Sequence, residues 1–407
     1  MLAETLFVSA LSVPATAALF YPLAMAARSM VRRRQAINPA TLVSDQPVTL
    51  VISAFNEEDS IAARLDNALS LDAPGGELRV LVVNDGSWDR TAEIVRGYAD
   101  RGVELLDLPV NVGKSAALAR ATALIQTEVA IFTDANSRFD KDALVRLARW
   151  FSRPDVGAVC GRLAYDLDGA STVNREEDRY WRWDNWIKNA ESATGHMVAG
   201  NGSILAIRTK LTEEIPSYLA NDFAWMNIVR LRGLKVCFDR TAVAREAAAP
   251  SMIAEYRRRV RIITRGLSAV RHSVGYYAGL RAGERATAPE ALFFFTQLVC
   301  KKLFRYLALP ALLVAMAAVP FMTSLPMVVL GVGLWMAMAG LVVVGMARAQ
   351  FPGRLGRLPN TVYPLAMSFA SLVALRNFLA GETISTWQPH RSTVSENRPL
   401  HSTPGLT

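Results

Sequence analysis

Apolar positions along this 407-residue chain follow two regimes. In the first half they come as short runs separated by turns. Val48 to Ala54, Leu78 to Val83, Val103 to Leu108 and Val129 to Thr133 read as strands. Between and after them, Ser60 to Leu71, Asp89 to Tyr98, Lys114 to Ile125 and Asp140 to Phe151 carry apolar residues at helical spacing. Strands alternating with helices predict an α/β fold with a parallel, doubly wound sheet. The first and fourth runs lack polar alternation, as strands covered on both faces do. Ala158 to Asp166 extends the sheet, and the pattern then loosens into a polar, aromatic stretch from Glu176 to Glu191. An apolar run ending at Arg208, a helix over Asn221 to Leu231 and a strand over Lys235 to Phe238 follow.

The second regime lies at the two ends. Leu6 to Ala27 holds no charge and reaches the roughly 20 residues a membrane helix needs. Arg28 and Arg32 to Arg34 follow it, whereas a secretory leader carries its positive charge first. The positive-inside rule therefore puts the N-terminus outside and the central half in the cytoplasm. Pro289 to Tyr306, interrupted by Lys301, Lys302 and Arg305, has the pattern of a helix lying in the membrane interface. Leu307 to Thr323 and Leu325 to Met346 read as spans, and Arg348, Arg354 and Arg357 suit a cytoplasmic loop. Val362 to Ala380 carries Arg376 and is compatible with spanning, re-entering or lying in plane. Gln35 to Gln46 reads as a linker and the segment from Pro389 as a disordered polar tail.

Composition narrows the function. The chain is 51% hydrophobic with a formal charge of +9. No nucleic-acid-binding motif accompanies that charge, much of which flanks the membrane segments or sits in Arg257 to Arg261. Membrane lipid and phosphorylated substrates, and no nucleic acid, are the expected partners. Three widely spaced cysteines form neither a disulfide framework nor a zinc site.

Three strand ends carry the chemistry. The first run ends at Ala54, Asn56 and Glu57, the second at Asn84-Asp85-Gly86-Ser87, the fourth at Asp134-Ala135-Asn136. Ligands of open α/β sheets bind at such C-terminal edges. Asp134 and Asn136 offer a carboxylate and an amide carbonyl to one hard cation, leaving room for substrate phosphates. An Asx turn between strand and helix explains the same residues. Asp85 either accepts hydrogen bonds from a base or ribose or shapes a helix start. Asn111 to Lys114 resembles an anion-receiving helix start with a cation beside it. It lacks the pattern of a Walker loop, and no GxGxxG follows the first strand, which disfavours an ATPase or a nicotinamide enzyme. Asp222 is an N-terminal helix residue or a base for an attacking hydroxyl. Arg258, Arg259 and Arg261 suit either a diphosphate or a basic membrane-facing surface.

Taken in order, these segments resemble the family-2 inverting glycosyltransferases of the GT-A fold, especially membrane-bound ones that build bacterial polysaccharides. Val51 to Glu58 is similar to the family's first nucleotide strand, and Asn84 to Asp89 to its Asp-Asp-Gly-Ser segment. The resemblance implies nucleotide binding by Ala54, Asn56, Glu57, Asp85, Lys114 and Asp134. Asp134-Ala135-Asn136 stands where the family has its Asp-x-Asp motif, implying Mg²⁺ or Mn²⁺ held by Asp134 and Asn136. Gly202 and Ser203 resemble the acceptor-side segment, and Asn221-Asp222 the Glu-Asp pair, which gives Asp222 the general-base role. Arg258 and Arg261 take the place of the processive synthases' Gln-x-x-Arg-Trp segment, on the acceptor or diphosphate side. Arg261 matches, but Arg258 replaces the Gln and Ile262 the Trp.

The expected architecture is a Rossmann-like, mostly parallel GT-A domain over 47–285 between membrane helices at 1–34 and 286–388, with a tail at 389–407. The expected activity is single-displacement transfer from a nucleotide-diphosphate sugar, UDP-linked, to a lipid-linked or oligosaccharide acceptor in envelope or exopolysaccharide synthesis. The expected location is the bacterial inner membrane, multi-pass, with a polysaccharide assembly complex as a further partner. A processive polysaccharide synthase is the first alternative, and the missing Trp and few spans weigh against it. A non-catalytic subunit of an assembly complex is the second, opposed by the presence of Asp85, Asp134 and Asp222.

Overall fold

The computed structural model describes residues 1–32, 37–166, 172–247, 252–350 and 362–382. The N-terminal apolar stretch forms α1 (Leu2–Ala15) and α2 (Tyr21–Val31), joined by a π-type turn at Thr16–Phe20. Pro14 and Pro22 flank that turn, where each removes a donor from the helical ladder. The central half then alternates as its pattern predicts. β1 (Val48–Ala54), α3 (Ile61–Leu69), β2 (Leu78–Asn84) and α4 (Thr91–Arg96) are followed by β3 (Val103–Asp107), α5 (Lys114–Thr122) and β4 (Val129–Asp134). The second part of the sheet is β5 (Arg138–Phe139), α6 (Ala143–Ala148), β6 (Val156–Asp166), α7 (Thr172–Ser192), β7 (Leu205–Arg208), α8 (Asn221–Leu231) and β8 (Lys235–Ala247).

These strands make one eight-stranded sheet in the order β3-β2-β1-β4-β7-β6-β8-β5. β3, β2, β1 and β4 run parallel, while β7 is antiparallel to both β4 and β6. The expected mostly parallel sheet is present, with antiparallel pairs at β7 and β5 added to it, and β1 is buried at every position. Its side chains alternate between two cores. Val48, Leu50, Ile52 and Ala54 pack with Ile61 and Leu65 of α3 and Leu144 and Leu147 of α6. On the other face Val51 packs with Leu118 of α5 and Trp225 of α8. Both sheet faces are covered, which is why the run reads as continuously apolar.

Two segments differ from their sequence pattern. The polar stretch from Glu176 to Glu191 lies within α7, because its charges find partners within the fold. Lys188 pairs with Asp184 one helical turn earlier at 2.9 Å, and Glu191 accepts from Lys301 at 2.7 Å. The strand expected over Lys235 to Phe238 continues to Ala247, held in parallel against β6.

After α9 (Met252–Gly279), α10 (Ala288–Leu298) runs through a π-type turn into α11 (Phe304–Ala318). Pro289 to Tyr306 is therefore continuous with the span expected from Leu307, in one long apolar element, Ala288–Phe321. α12 (Leu325–Gln350) and α13 (Val362–Leu379) complete the C-terminal part. Among the described residues, three helical stretches are long and apolar enough to cross a membrane: Leu2–Val31, Ala288–Phe321 and Leu325–Val344. Phe7 of α1 is buried against Ala315 and Ala318 of α11, and Tyr21 and Met25 of α2 pack on Ile187 and Ala190 of α7. The end helices are thus joined both to one another and to the sheet domain. Arg33, Arg34, Arg354, Arg357 and the polar tail from Pro389 lie outside the described residues.

Candidate active site

The C-terminal ends of β1, β2 and β4 lie side by side in register, Ala54 beside Asn84 and Ser53 beside Asp134. Three loops therefore leave the same sheet edge. Ala54 is buried in the core, and its carbonyl accepts from the Asp85 N–H at 2.9 Å. Asn56 takes a left-handed conformation, φ 54°, the one non-glycine residue to do so among the described residues. Its Oδ1 accepts from the Trp88 N–H at 3.0 Å, and its N–H donates to Ser87 Oγ at 2.8 Å. Strained backbone of this kind persists only where the surroundings fix it, here at the rim of a cleft.

Asp85 is 2% exposed. Its two carboxylate oxygens accept from the N–H groups of Val112 at 2.8 Å and Gly113 at 3.0 Å. Burial pushes its pKa up, and those two backbone donors oppose the rise. Asp85 thus fixes the turn that starts α5, and Lys114 is the first residue of that helix. Gly86 makes the same turn possible, since at φ 70° an added Cβ would lie 2.4 Å from the Val110 carbonyl carbon.

Lys114 Nζ pairs with Asp134 Oδ1, which also accepts from Ser53 Oγ at 3.0 Å. A Cβ on Gly202 would lie 3.5 Å from Lys114 Nζ and 3.7 Å from Asp222 Cγ. Lys114, Asp134, Gly202 and Asp222 therefore border one cleft. Asn201 shapes the Gly202 turn: its N–H donates to Cys160 Sγ at 3.3 Å and its Oδ1 accepts from the Ile204 N–H at 3.2 Å. Ser203 and Ser137 both hydrogen-bond the buried carboxyl of Glu246. Asp222 is half-buried in the first turn of α8, while Asn221 beside it is buried with its Nδ2 unpaired.

Glu57 adds charge to the same edge. Its Oε2 accepts from Ser60 Oγ at 2.5 Å, and burial together with Asp134, Asp89 and Glu246 pushes its pKa up to about 7. An excess of negative charge and hard oxygen donors at Asp134 and Asn136 suits a divalent cation. Among the described residues no three His, Cys, Asp or Glu side chains form a closed metal cage. Asp134 and Asn136 would thus hold such an ion with most of its coordination left to water and substrate.

α9 supplies the cations. Burial and then Arg258 lower the Arg261 pKa, while Asp134 raises it. Arg258 donates to Tyr165 Oη at 3.3 Å and to Glu255 at 3.3 Å. Ile262, where the resemblance has Trp, is 47% exposed. Sequence reasoning missed Arg265, one turn beyond Arg261, whose Nη2 donates to the carbonyls of Ser217 and Leu219 at 2.8 Å each. It thereby fixes the loop leading into Asp222. The four-residue spacing from Arg261 was its signal. Sequence reasoning also missed Ser53 and Glu246, whose roles depend on strand neighbours far apart in the chain.

Comparison with known proteins adds four findings. Residues 49–215 match the family described as Glycosyl transferase family 2. An N-acetylglucosaminyltransferase from Rhizobium meliloti is 34% identical over 153 residues, covering 36% of each chain. A beta-monoglucosyldiacylglycerol synthase from Nostoc sp. is 29% identical over 164 residues, 39% of this chain and 35% of that one. The chain thus spans about a third of the length of these relatives. Among solved structures, the mannosyltransferase PcManGT from Pyrobaculum calidifontis, in complex with GDP-Man and Mn²⁺, superposes with a TM-score of 0.67 at 21% identity. That match covers 93% of this chain and 99% of the other.

Proposed function

We propose, from the match of residues 49–215 to Glycosyl transferase family 2, that the chain moves a sugar from a nucleotide-diphosphate donor, UDP-linked, to a lipid-linked or saccharide acceptor, with inversion. The observation that carries this reading is the closeness of Gly202 to both Lys114 and Asp222, across a cleft that Asp134 also borders.

The base and ribose of the donor fit the edge formed by Ala54, Asn56, Glu57 and Asp85. Lys114 and Arg261 neutralise diphosphate charge. Asp134 and Asn136 would hold Mg²⁺ or Mn²⁺, which when bound would supply Lewis-acid stabilisation for the leaving diphosphate. The acceptor lies along Gly202, Ser203 and Arg258. Asp222 takes the proton from its hydroxyl as that oxygen attacks the anomeric carbon from the face opposite the diphosphate. One base suffices for a single displacement, unlike the carboxyl pair of a glycosidase.

Orientation follows from charge. Arg28 and Arg32 after the first apolar stretch support a sheet domain on the cytoplasmic side of a bacterial inner membrane. There it reaches lipid-linked acceptors at the leaflet surface, within a polysaccharide assembly complex. Residues 47–285 would be the catalytic unit and 1–34 with 286–388 its membrane part. Ile262 in place of a stacking Trp favours single additions over extrusion of a polymer.

The test is to incubate detergent-solubilised protein with a panel of nucleotide sugars and Mn²⁺ and to measure free nucleoside diphosphate. Release from one donor, abolished by Asp222→Asn, supports transfer. Absence of release from every donor, with each candidate acceptor supplied, sinks it.

A further inference from the structure

Beside the Asp134–Asn136 turn opens a cavity of about 330 Å³, which Asn136 itself lines on one side. Three guanidinium groups from three elements line it: Arg64 of α3, Arg138 of β5 and Arg245 of β8. Arg138 and Arg245 are exposed at its rim, and Arg64 is fully buried. Arg64 Nη1 donates to Asn67 Oδ1 at 2.9 Å, and its guanidinium lies over the Phe139 ring at 4.8 Å. Its Nε and Nη2 have no hydrogen-bond partner among the described residues. Burial lowers the Arg64 pKa to about 9, which keeps the group cationic at neutral pH. A buried cation with two idle donors is unfavourable unless an acceptor reaches it.

Two acids also border the cavity, Asp59 and Glu246. Asp59 is exposed at the rim. Glu246 is engaged by Ser137 and Ser203, and burial followed by Asp134 raises its pKa. Arg245 donates to Asp140 at 2.8 and 3.3 Å. The remaining capacity belongs to Arg64, with Arg138 beside it at the opening. Planar guanidinium donors of this kind match the oxygens of phosphate and carboxylate.

We propose that this cavity is an oxyanion subsite, in which Arg64 and Arg138 bind a phosphate or carboxylate carried by a substrate that extends past Asn136. The proposal rests on the transferase reading for the substrate's identity, but not for the site itself. The oxyanion is either a phosphate ester of the acceptor or the carboxylate of an acidic sugar.

The test uses the full chain in detergent, with saturating nucleoside diphosphate and Mg²⁺ to fill the neighbouring cleft. Inorganic phosphate and glucuronate are titrated separately by calorimetry. Saturable binding is expected, weakened about tenfold or more by Arg64→Gln and by Arg138→Gln, as loss of a charge-assisted bond implies. Tighter phosphate identifies an acceptor phosphate, and tighter glucuronate an acidic sugar. Failure of both probes to bind, or binding unchanged in both variants, overturns the proposal. Arg138 lies on the surface, so its variant is informative even where Arg64→Gln fails to fold. Nucleoside diphosphate affinity, read in a preceding titration of the same preparation, reports separately on the transferase reading.

Discussion

The Lys114 ammonium and the Asp134 carboxylate form an ion pair at the cleft, their side chains 15% and 22% exposed. Asp85, through the Val112 and Gly113 N–H groups, fixes the turn from which Lys114 projects. Two acids from different strand ends are thereby linked through one helix start. In the proposed reaction Lys114 occupies the carboxylate that a cation would use, and a donor diphosphate would draw the lysine away.

Lys114→Met removes that competition and a phosphate partner together. Mn²⁺ affinity of the nucleotide-free protein is expected to rise roughly fivefold, the scale of a partly exposed ion pair of about 1 kcal/mol. Donor nucleotide affinity is expected to fall about tenfold through loss of a charge-assisted contact. Calorimetric titration of each ligand checks both signs. A fall in Mn²⁺ affinity would instead make Lys114 the residue that holds Asp134 in place.

Asp222→Asn keeps the shape of the residue in the first turn of α8 and deletes its basicity. Loss of a general base lowers kcat by roughly 10² to 10⁴-fold. Donor binding, made by groups on the other side of the cleft, is expected to change by less than about twofold. Turnover and donor affinity measured on one preparation separate the two effects, and equal losses in both would argue for misfolding of the site.

Glu57 gives the site a pH signature. Its pKa in the fold, about 7, lies above the ordinary value of 4.5 because of burial and the surrounding acids. The folded chain keeps this proton to higher pH than the unfolded chain, so the group's contribution to stability declines as pH rises from about 4.5 to 7. Metal-free melting temperatures should fall over that window in the wild type and less steeply in Glu57→Gln. Identical slopes would show that Glu57 titrates normally.

Gly86→Ala addresses the loop that carries Lys114. At φ 70° the new methyl meets the Val110 carbonyl carbon at 2.4 Å and the Asn111 nitrogen at 2.6 Å, both backbone atoms that yield little. A loss of roughly 1–3 kcal/mol is expected from a left-handed alanine alone, together with weaker donor binding as the Lys114 turn shifts. Denaturant unfolding and nucleotide titration measure these. Unchanged nucleotide affinity in a destabilised protein would uncouple the turn from the site.

What was legible in the sequence follows from how local each signal is. Val48 to Ala54 and Val129 to Thr133 read as strands because a strand buried on both faces lacks polar alternation and stops at polar residues. Asp85, Lys114, Asp134 and Asp222 stood out because each ends or begins such an element. Arg64 was illegible: a cation on an amphipathic helix normally faces water, and only the Asn67 and Phe139 contacts show it buried. Glu246 was hidden for a similar reason, its serine partners lying 109 residues away at Ser137 and in the Gly202 turn. The helical state of Glu176 to Glu191 depended on partners such as Lys301, which no local periodicity announces.

That last contact yields a prediction about how the membrane part is held. Glu191 and Lys301 are 0% and 1% exposed, 2.7 Å apart, and Tyr21 of α2 also donates to Glu191. α2, α7 and the Ala288–Phe321 element therefore meet at one buried carboxylate. Lys301→Met leaves that carboxylate without its cation, a change that typically lowers stability by roughly 3–5 kcal/mol. Glu191→Gln combined with Lys301→Met removes both charges and should recover most of the loss, since a buried ion pair gains little over neutral groups of similar size. Thermal unfolding of the single and double variants in detergent decides the matter. Equal melting temperatures for Lys301→Met and the double variant would show that the stranded charge is not what destabilises the junction.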